Sequence, residues 1–600
     1  MKKLFVLCSI VIATFVLVGC ETLTTETTTA VSTAPATTED LTTTEPPATT
    51  TAPDTTTEAA TTTATTTEPE TTTQQTTTLA IGEDVPYDAY VATFVNYSPE
   101  FIDETPVDSI LFYYYEDKEG IPYVDIEEFV QLLLGIIDET VQVEADYDAL
   151  TVRIFVEWVL TEEEKIEYGI TEDVVVEWVE FDFAEMRVSA KNVDSMDAFN
   201  GEMETDLSEG LNVIAYTQEE LPGLSIDLAD YGMLIRVLRT DDNQTKFTIP
   251  VHLAGLFLTG SLYNVVANGN TLHGLDLYQI GDVNDRSLDV FDAIKLNEDE
   301  TELIRAESVN YLALVFDHFY GLKAYKKITS FVDYVSTRFD ETAEFAGELY
   351  DFAWSLNDLH TGVISSGHTN PSYDIQDFYG DYGFPLILDN YFDNYYGCDC
   401  DEVEDPFELR FYQDMAYYRI DGFTFEFKDD IAADMEAIRA AAPKYVVIDI
   451  TCNGGGVLAG VLNLLNYLTN DPVTLYTTTQ GARSSTTYEV EGDLKIDAEF
   501  YIVTSAMTYS AANLFAAMAK EAGLAKTIGL KSGGGACSVM TLVLPNGAII
   551  QMSSPMNLST SNYVTLEAGV AVDYTINWKT LADYYTMAQF YTVVTTLSGD

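Results

Sequence analysis

The stretch "KYVVIDITCNGGGVLAGVLNLLNYLT" (residues 444–469) reads as three pieces. Residues 444–450 are a short run of β-branched and aromatic residues, the pattern of a strand buried on both faces. Three glycines, Gly454–Gly456, mark a turn, and residues 457–469 then read as an apolar helix. A buried strand, a glycine turn and a helix open a βαβ crossover, and such crossovers imply a largely parallel sheet. The pattern returns at "EFYIVTS" (499–505), followed by a helix from Ser510. "KTIGL", "SVMTLVLPNGAIIQMS" and "GVAVDYTI" supply further strands, one pair joined at Pro-Asn-Gly. Residues 410–580 are thus expected to be α/β.

Upstream the rhythm changes. Residues 298–365 read as helical, through "ETELIRAESVNYLALVFDHFYGL" and "AEFAGELYDFAWSLNDLHTGV". Residues 86–290 alternate β-type runs ("SILFYYYED", "TVRIFVEWVL", "DVVVEWVEFDFAEMRVSA") with short helical ones, the mark of a separate small α+β accessory domain. Within it "IPYVDIEEF" and "FTIPVHLAGLF" look like two versions of one strand-then-helix unit, and "LYNVVANGNTLHGLDL" places two strands around an Asn-Gly turn. Its histidines, His252 and His273, have no catalytic neighbours in sequence and read as structural or exposed. Six hundred residues exceed one compact core, which agrees with this division.

The net charge is −70, from 98 acidic against 28 basic residues. A chain so acidic repels phosphate backbones, which excludes nucleic acid as an expected partner. Residues 1–20, "MKKLFVLCSIVIATFVLVGC", join a basic start to an apolar run and have the order of a secretory signal peptide. The ending resembles a bacterial lipobox, which implies cleavage before Cys20, lipidation of Cys20 and a lipid-anchored protein on the extracellular face of the cell membrane. Residues 21–82, almost wholly Thr, Ala, Pro and Glu, are expected to be a disordered stalk. Cys398, Cys400, Cys452 and Cys537 are too sparse for a disulfide framework; a Cys-x-Cys pair beside "DEVED" could hold a metal, but no histidine or second pair accompanies it.

Three segments could carry chemistry. The Gly454–Gly456 turn lets backbone amides approach a ligand and could stabilise a phosphate or an oxyanion, although it lacks the ending of a P-loop. Ser510 stands where a strand turns into a helix, a place serine often takes simply as an N-cap. His360 ends a helix in "SLNDLHTGV", and Glu567 precedes a glycine in "YVTLEAGVAVDYTI". A serine, a histidine and a carboxylate are the parts of a triad, in which the imidazole takes the hydroxyl proton and the carboxylate orients it.

Residues 300–580 resemble the carboxy-terminal processing (tail-specific) serine peptidases, especially the tricorn-type branch. "DLHTG", "VVIDITCNGGG", "SAMTYSAANLFA", "TIGLKSGGG", "LPNG" and "LEAGVAVD" occur in that family's order and spacing. The resemblance implies a tail-specific-protease-like catalytic domain over 298–580, its ClpP/crotonase-like core preceded by the helical segment, with a polypeptide substrate and no metal or cofactor. It implies Ser510 as nucleophile, His360 as general base and Glu567 as the relay carboxylate. The oxyanion hole would come from amides at Gly454 or Gly455 and at Ala511. The processing branch uses a Ser-Lys dyad, whose lysine position falls near Gly535 here, so the pattern points to the His-based branch. That branch can carry a serine before the histidine; Leu359 stands there, with Asp358 or Thr361 placed to take over its hydrogen bond. Residues 370–410 lack the carboxylate-binding loop of a PDZ domain. Two alternatives stay open: a non-catalytic binding protein on the same fold, and a glycan-binding adhesin lipoprotein built on the aromatic-rich residues 86–290.

Overall fold

The computed structural model describes residues 85–97, 107–161, 165, 173–200, 212–240, 243–276, 301–339, 345–365, 406–424, 427–490, 492, 494–576 and 586–599. The signal peptide with Cys20, the stalk, the Cys398–Cys400 pair and most of the 370–410 stretch fall outside them. The first part runs β1 (Tyr87–Asn96), β2 (Ser109–Tyr115), β3 (Tyr123–Asp125), α1 (Ile126–Leu133), β4 (Gln142–Asp146), β5 (Thr151–Val159), β6 (Val174–Asp182) and β7 (Arg187–Ala190). It continues through β8 (Asn212–Gln218), β9 (Leu224–Asp227), β10 (Arg236–Arg239), β11 (Thr245–Pro250), α2 (Val251–Thr259), β12 (Tyr263–Asn268) and β13 (Thr271–Asp276). Helices α3 (Glu302–Phe319), α4 (Lys323–Lys326), α5 (Phe331–Ser336) and α6 (Phe345–Ser355) follow, then β14 (Gly362–Ser365). The remainder is β15 (Phe407–Tyr412), β16 (Met415–Ile420), α7 (Phe427–Ala441), β17 (Tyr445–Asp449), α8 (Leu458–Leu465), β18 (Val473–Thr479) and β19 (Ala482–Glu489). It closes with β20 (Glu499–Thr504), α9 (Ser510–Glu521), β21 (Ala525–Gly529), β22 (Cys537–Val543), β23 (Ile549–Ser559), β24 (Tyr574–Thr575) and α10 (Met587–Ser598).

The chain is therefore a mixed α/β protein with a sheet-rich N-terminal region. There, β10-β11-β3-β2-β1-β13-β12 make one sheet and β4-β5-β6-β7-β9 a second. The two strand-then-helix units, β3–α1 and β11–α2, lie side by side, because β3 and β11 pair antiparallel with Thr248 opposite Asp125. Asp125 caps α1 by accepting the Glu128 amide, whereas Pro250 opens α2 without a side-chain cap. His252 and His273 are both buried: His252 lies 3.4 Å from Glu307, and His273 stacks on Tyr97.

The sheet that carries the chemistry has the order β15-β16-β17-β20-β21-β24, parallel from β16 onward. Every residue of β17 is buried, because the sheet is covered on both faces. Val446 and Ile448 pack with residues of α7, α8 and α9 on one face. Tyr445 and Val447 pack with Phe590 and Val594 of α10 on the other.

A fourth sheet, β14-β23-β18-β19-β8 with β22 also on β23, ties the chain together. β8 comes from between β7 and β9 of the N-terminal sheets, yet pairs antiparallel with β19 from Ser484–Gln218 to Glu489–Asn212. One hydrophobic core joins side chains of the N-terminal sheets, of α3, α5 and α6, and of the β22–β23 hairpin.

Candidate active site

The turn after β20 is tied to the end of β17. Thr508 Oγ1 donates to the Ile450 carbonyl at 2.7 Å and accepts the Ser505 amide at 3.0 Å, while Ser505 Oγ donates to the Thr451 carbonyl. Helix α9 then begins at Ser510, with Tyr509 as N-cap and no side-chain capping bond. The simple N-cap role for Ser510 is thereby excluded. Its φ is +53°, in the left-handed region, which costs a non-glycine residue about 1–2 kcal/mol. A hydrogen bond from its amide to the Gly534 carbonyl, 2.8 Å, holds the conformation. The side chain is buried and Oγ has no hydrogen-bond partner, an arrangement that costs roughly 1–3 kcal/mol more. The fold thus tolerates two local penalties at one residue.

The glycine turn after β17 lies against this helix start. The Tyr509 amide donates to the Asn453 carbonyl at 3.1 Å. At Gly455, with φ +118°, a Cβ would stand 2.7 Å from Ser510 Cβ and 3.1 Å from Ala511 N, so only glycine fits. The Gly455 amide itself donates to Asn453 Oδ1 at 2.8 Å. Of the three oxyanion-hole candidates, Gly455 is thus engaged by its own loop, and Ala511 N lies beside it at the helix start.

His360 arrives on the turn after α6. Its imidazole is buried 4.9 Å, centroid to centroid, from the Tyr509 ring, and the Leu359 amide lies near the Tyr509 hydroxyl. The residue before the serine therefore docks the residue before the histidine. Burial pushes the imidazole down to about 4 against the raising influence of Asp358, so it is neutral at pH 7. Ser510 Oγ has no partner, so serine and histidine are not hydrogen-bonded; Tyr509, next to Ser510 in the chain, makes the contact with the imidazole.

Two carboxyls occupy this neighbourhood. Asp358 Oδ1 accepts the His360 amide at 3.1 Å. Its Oδ2 accepts Tyr320 at 3.1 Å, Thr361 at 2.7 Å and Ser553 at 2.8 Å. Glu567 sits in a 3-10 turn, Leu566–Ala568, with Oε2 accepting the Ala536 amide at 3.0 Å. Burial, and then Asp358, push its carboxyl up to about 7, against the Ala536 amide and Lys326. One turn along α9, Asn513 fixes the Glu567 turn: Nδ2 donates to the Leu566 carbonyl at 3.1 Å and Oδ1 accepts Ser532 Oγ at 2.7 Å. Ser532 Oγ in turn accepts the Val570 amide at 2.6 Å.

An unpartnered hydroxyl at a helix N-terminus, a neutral imidazole and two carboxyls are the equipment of acyl transfer. Tyr509, Asn513, Ser532, Tyr320 and Ser553 were not singled out from sequence. Tyr509 and Asn513 flank Ser510 in "TYSAANLF" and could have been; nothing local marks Tyr320 or Ser553.

Residues 414–576 match the family described as Peptidase family S41. No curated protein matches the chain. Similar solved structures include the photosystem II D1 C-terminal processing protease, at 16% identity over 30% of this chain and 50% of that one, TM-score 0.27. Mature CPAF shows 12% identity over 50% of this chain and 99% of that one, TM-score 0.37. The tricorn protease shows 10% identity over 83% of this chain and 57% of that one, TM-score 0.27. The chain spans half the length of the first of these.

Proposed function

We propose that this chain, whose residues 414–576 match Peptidase family S41, is a serine endopeptidase of the tricorn-type branch, anchored at the outer face of the cell membrane through lipid on Cys20. Ser510 Oγ attacks the carbonyl carbon of a peptide bond and its proton passes to His360. The C–N bond breaks, His360 gives the proton to the departing amine, and an acyl-enzyme remains. Water, deprotonated by His360, then releases the acid and restores Ser510. Amides at the start of α9, Ala511 first, and Gly454 of the facing turn receive the oxyanion. Glu567 is the relay carboxyl that the resemblance implies.

The observation that carries this reading is Ser510 itself: left-handed backbone, complete burial and a hydroxyl that bonds to nothing. Strain and an unsatisfied polar atom at one residue are the mark of a functional position rather than a cap. The test is Ser510→Ala in the whole chain with an unstructured polypeptide such as labelled casein. Cleavage is expected to vanish while circular dichroism and Tm hold; undiminished cleavage would remove the assignment. The burial of Ser510 also favours one second reading, a binding protein on the same fold. Failure of the wild-type serine to react with a fluorophosphonate would select it.

A further inference from the structure

Asp358 receives four hydrogen bonds and gives none. The donors come from three separate places: its own turn (the His360 amide and Thr361), the residue after α3 (Tyr320) and the middle of β23 (Ser553). A buried carboxylate met only by donors is in the acceptor role of the ionised form. The turn that it knots is further gripped from outside, where Lys326 Nζ donates to the Asn357 carbonyl at 2.8 Å, and from inside, where Leu359 meets Tyr509. Glu567 is tied differently: a single amide, that of Ala536, donates to it.

We infer that Asp358 is a positioning residue of the proposed peptidase site: it knots the His360 turn to α3 and β23 and places its carboxylate beside that turn, a role distinct from that of Glu567. This rests on the peptidase reading and deepens it. The charged and titratable groups around Glu567 agree with the division. Asp358 faces it from the turn after α6 and raises it, and Lys326 lowers it from α4. Tyr320, Tyr509 and Cys537 are each raised, first by burial and then by Asp358 and Glu567 among their neighbours. On His360 the raising charge is Asp358. Of the two carboxyls Asp358 has four donors and Glu567 one, so Asp358 is the more firmly held.

The test is the pH dependence of fluorophosphonate labelling and of casein cleavage by the full chain. Asp358→Asn removes the charge, so labelling is expected to slow by about 100-fold through loss of aim. The acid limb of its rate profile is expected to move to lower pH by about one unit, since both His360 and Glu567 lose the influence that raises them. A merely structural residue would lower the rate without moving the limb. Tyr320→Phe and Ser553→Ala each delete one donor and keep the packing, and each is expected to lower kcat about tenfold at unchanged KM, the worth of one hydrogen bond. A folded Asp358→Asn with wild-type labelling or an unmoved limb would overturn the inference. If Asp358→Asn does not fold, wild-type kcat in both other variants would overturn it. Wild-type protein that neither labels nor cleaves would instead overturn the peptidase reading beneath it.

Discussion

At the scale of single residues, the site works by making side chains unfavourable where they stand. His360 takes up a proton near 6.5 when unfolded but only near 4 in the fold, because burial disfavours the charged ring. Between those values unfolding binds a proton, so this contribution to stability is present above 6.5 and lost as pH falls toward 4. Glu567 runs the opposite way. It is protonated in both states below 4.5, and between 4.5 and about 7 the fold keeps a proton that the unfolded chain has released. Its contribution is therefore lost as pH rises through 7. Glu567→Gln, whose amide oxygen can still accept from Ala536, is expected to raise stability at pH 8 by about 2–3 kcal/mol, leave it unchanged at pH 4, and lower activity. Calorimetry at the two pH values checks this; equal shifts at both would refute it.

At the scale of elements, α9 is both the carrier of Ser510 and the clamp on Glu567. Asn513→Leu keeps the branched shape but removes one of two hydrogen bonds at each end: the Leu566 carbonyl keeps only the Gly569 amide, and the Ser532 hydroxyl, still accepting the Val570 amide, has lost its acceptor. A loss of about 1–3 kcal/mol is expected for the two hydrogen bonds, with activity falling further than stability because the Glu567 turn loosens; urea unfolding beside casein turnover separates the two. Much of this level was legible in sequence. β17, the glycine turn, α8, β20 and α9 follow from local apolar runs and glycine punctuation, and so does the place of Ser510 at the start of α9; the roles given to Ser510, His360 and Glu567 come from the family resemblance alone. The β18–β19 hairpin was not legible: "VTLYTTT" and "ARSSTTYE" bury threonines in alternation and contain no apolar run. Nor was the Asp358 knot, because Ser553 lies 195 residues away and only the fold brings it near.

At the scale of the whole molecule, the N-terminal sheets and the peptidase domain share material. β8 completes the edge of β19, and the β22–β23 hairpin completes a core begun more than 400 residues earlier at Ala92. A fragment of residues 301–600 lacks β8 and bares the apolar side chains of α3 that this core covers, among them Leu312, Leu314 and Phe316. It is expected to bind a hydrophobic dye, elute as aggregate on size exclusion and lack activity. A monodisperse, active fragment would show that the shared core is dispensable.

The crossing of β8 also sets an order of events during synthesis. Asn212 leaves the ribosome 277 residues before Glu489, the residue it meets in the finished sheet. Until then β8 has no partner strand, and the core that buries its Val213 waits longer still, for Leu566. Such distant pairings close slowly and late. Ser510, set between those two milestones, is made before the structure that strains it exists. A nascent chain thus carries its hydroxyl as an ordinary serine, and the buried, left-handed conformation arrives only with the last strands.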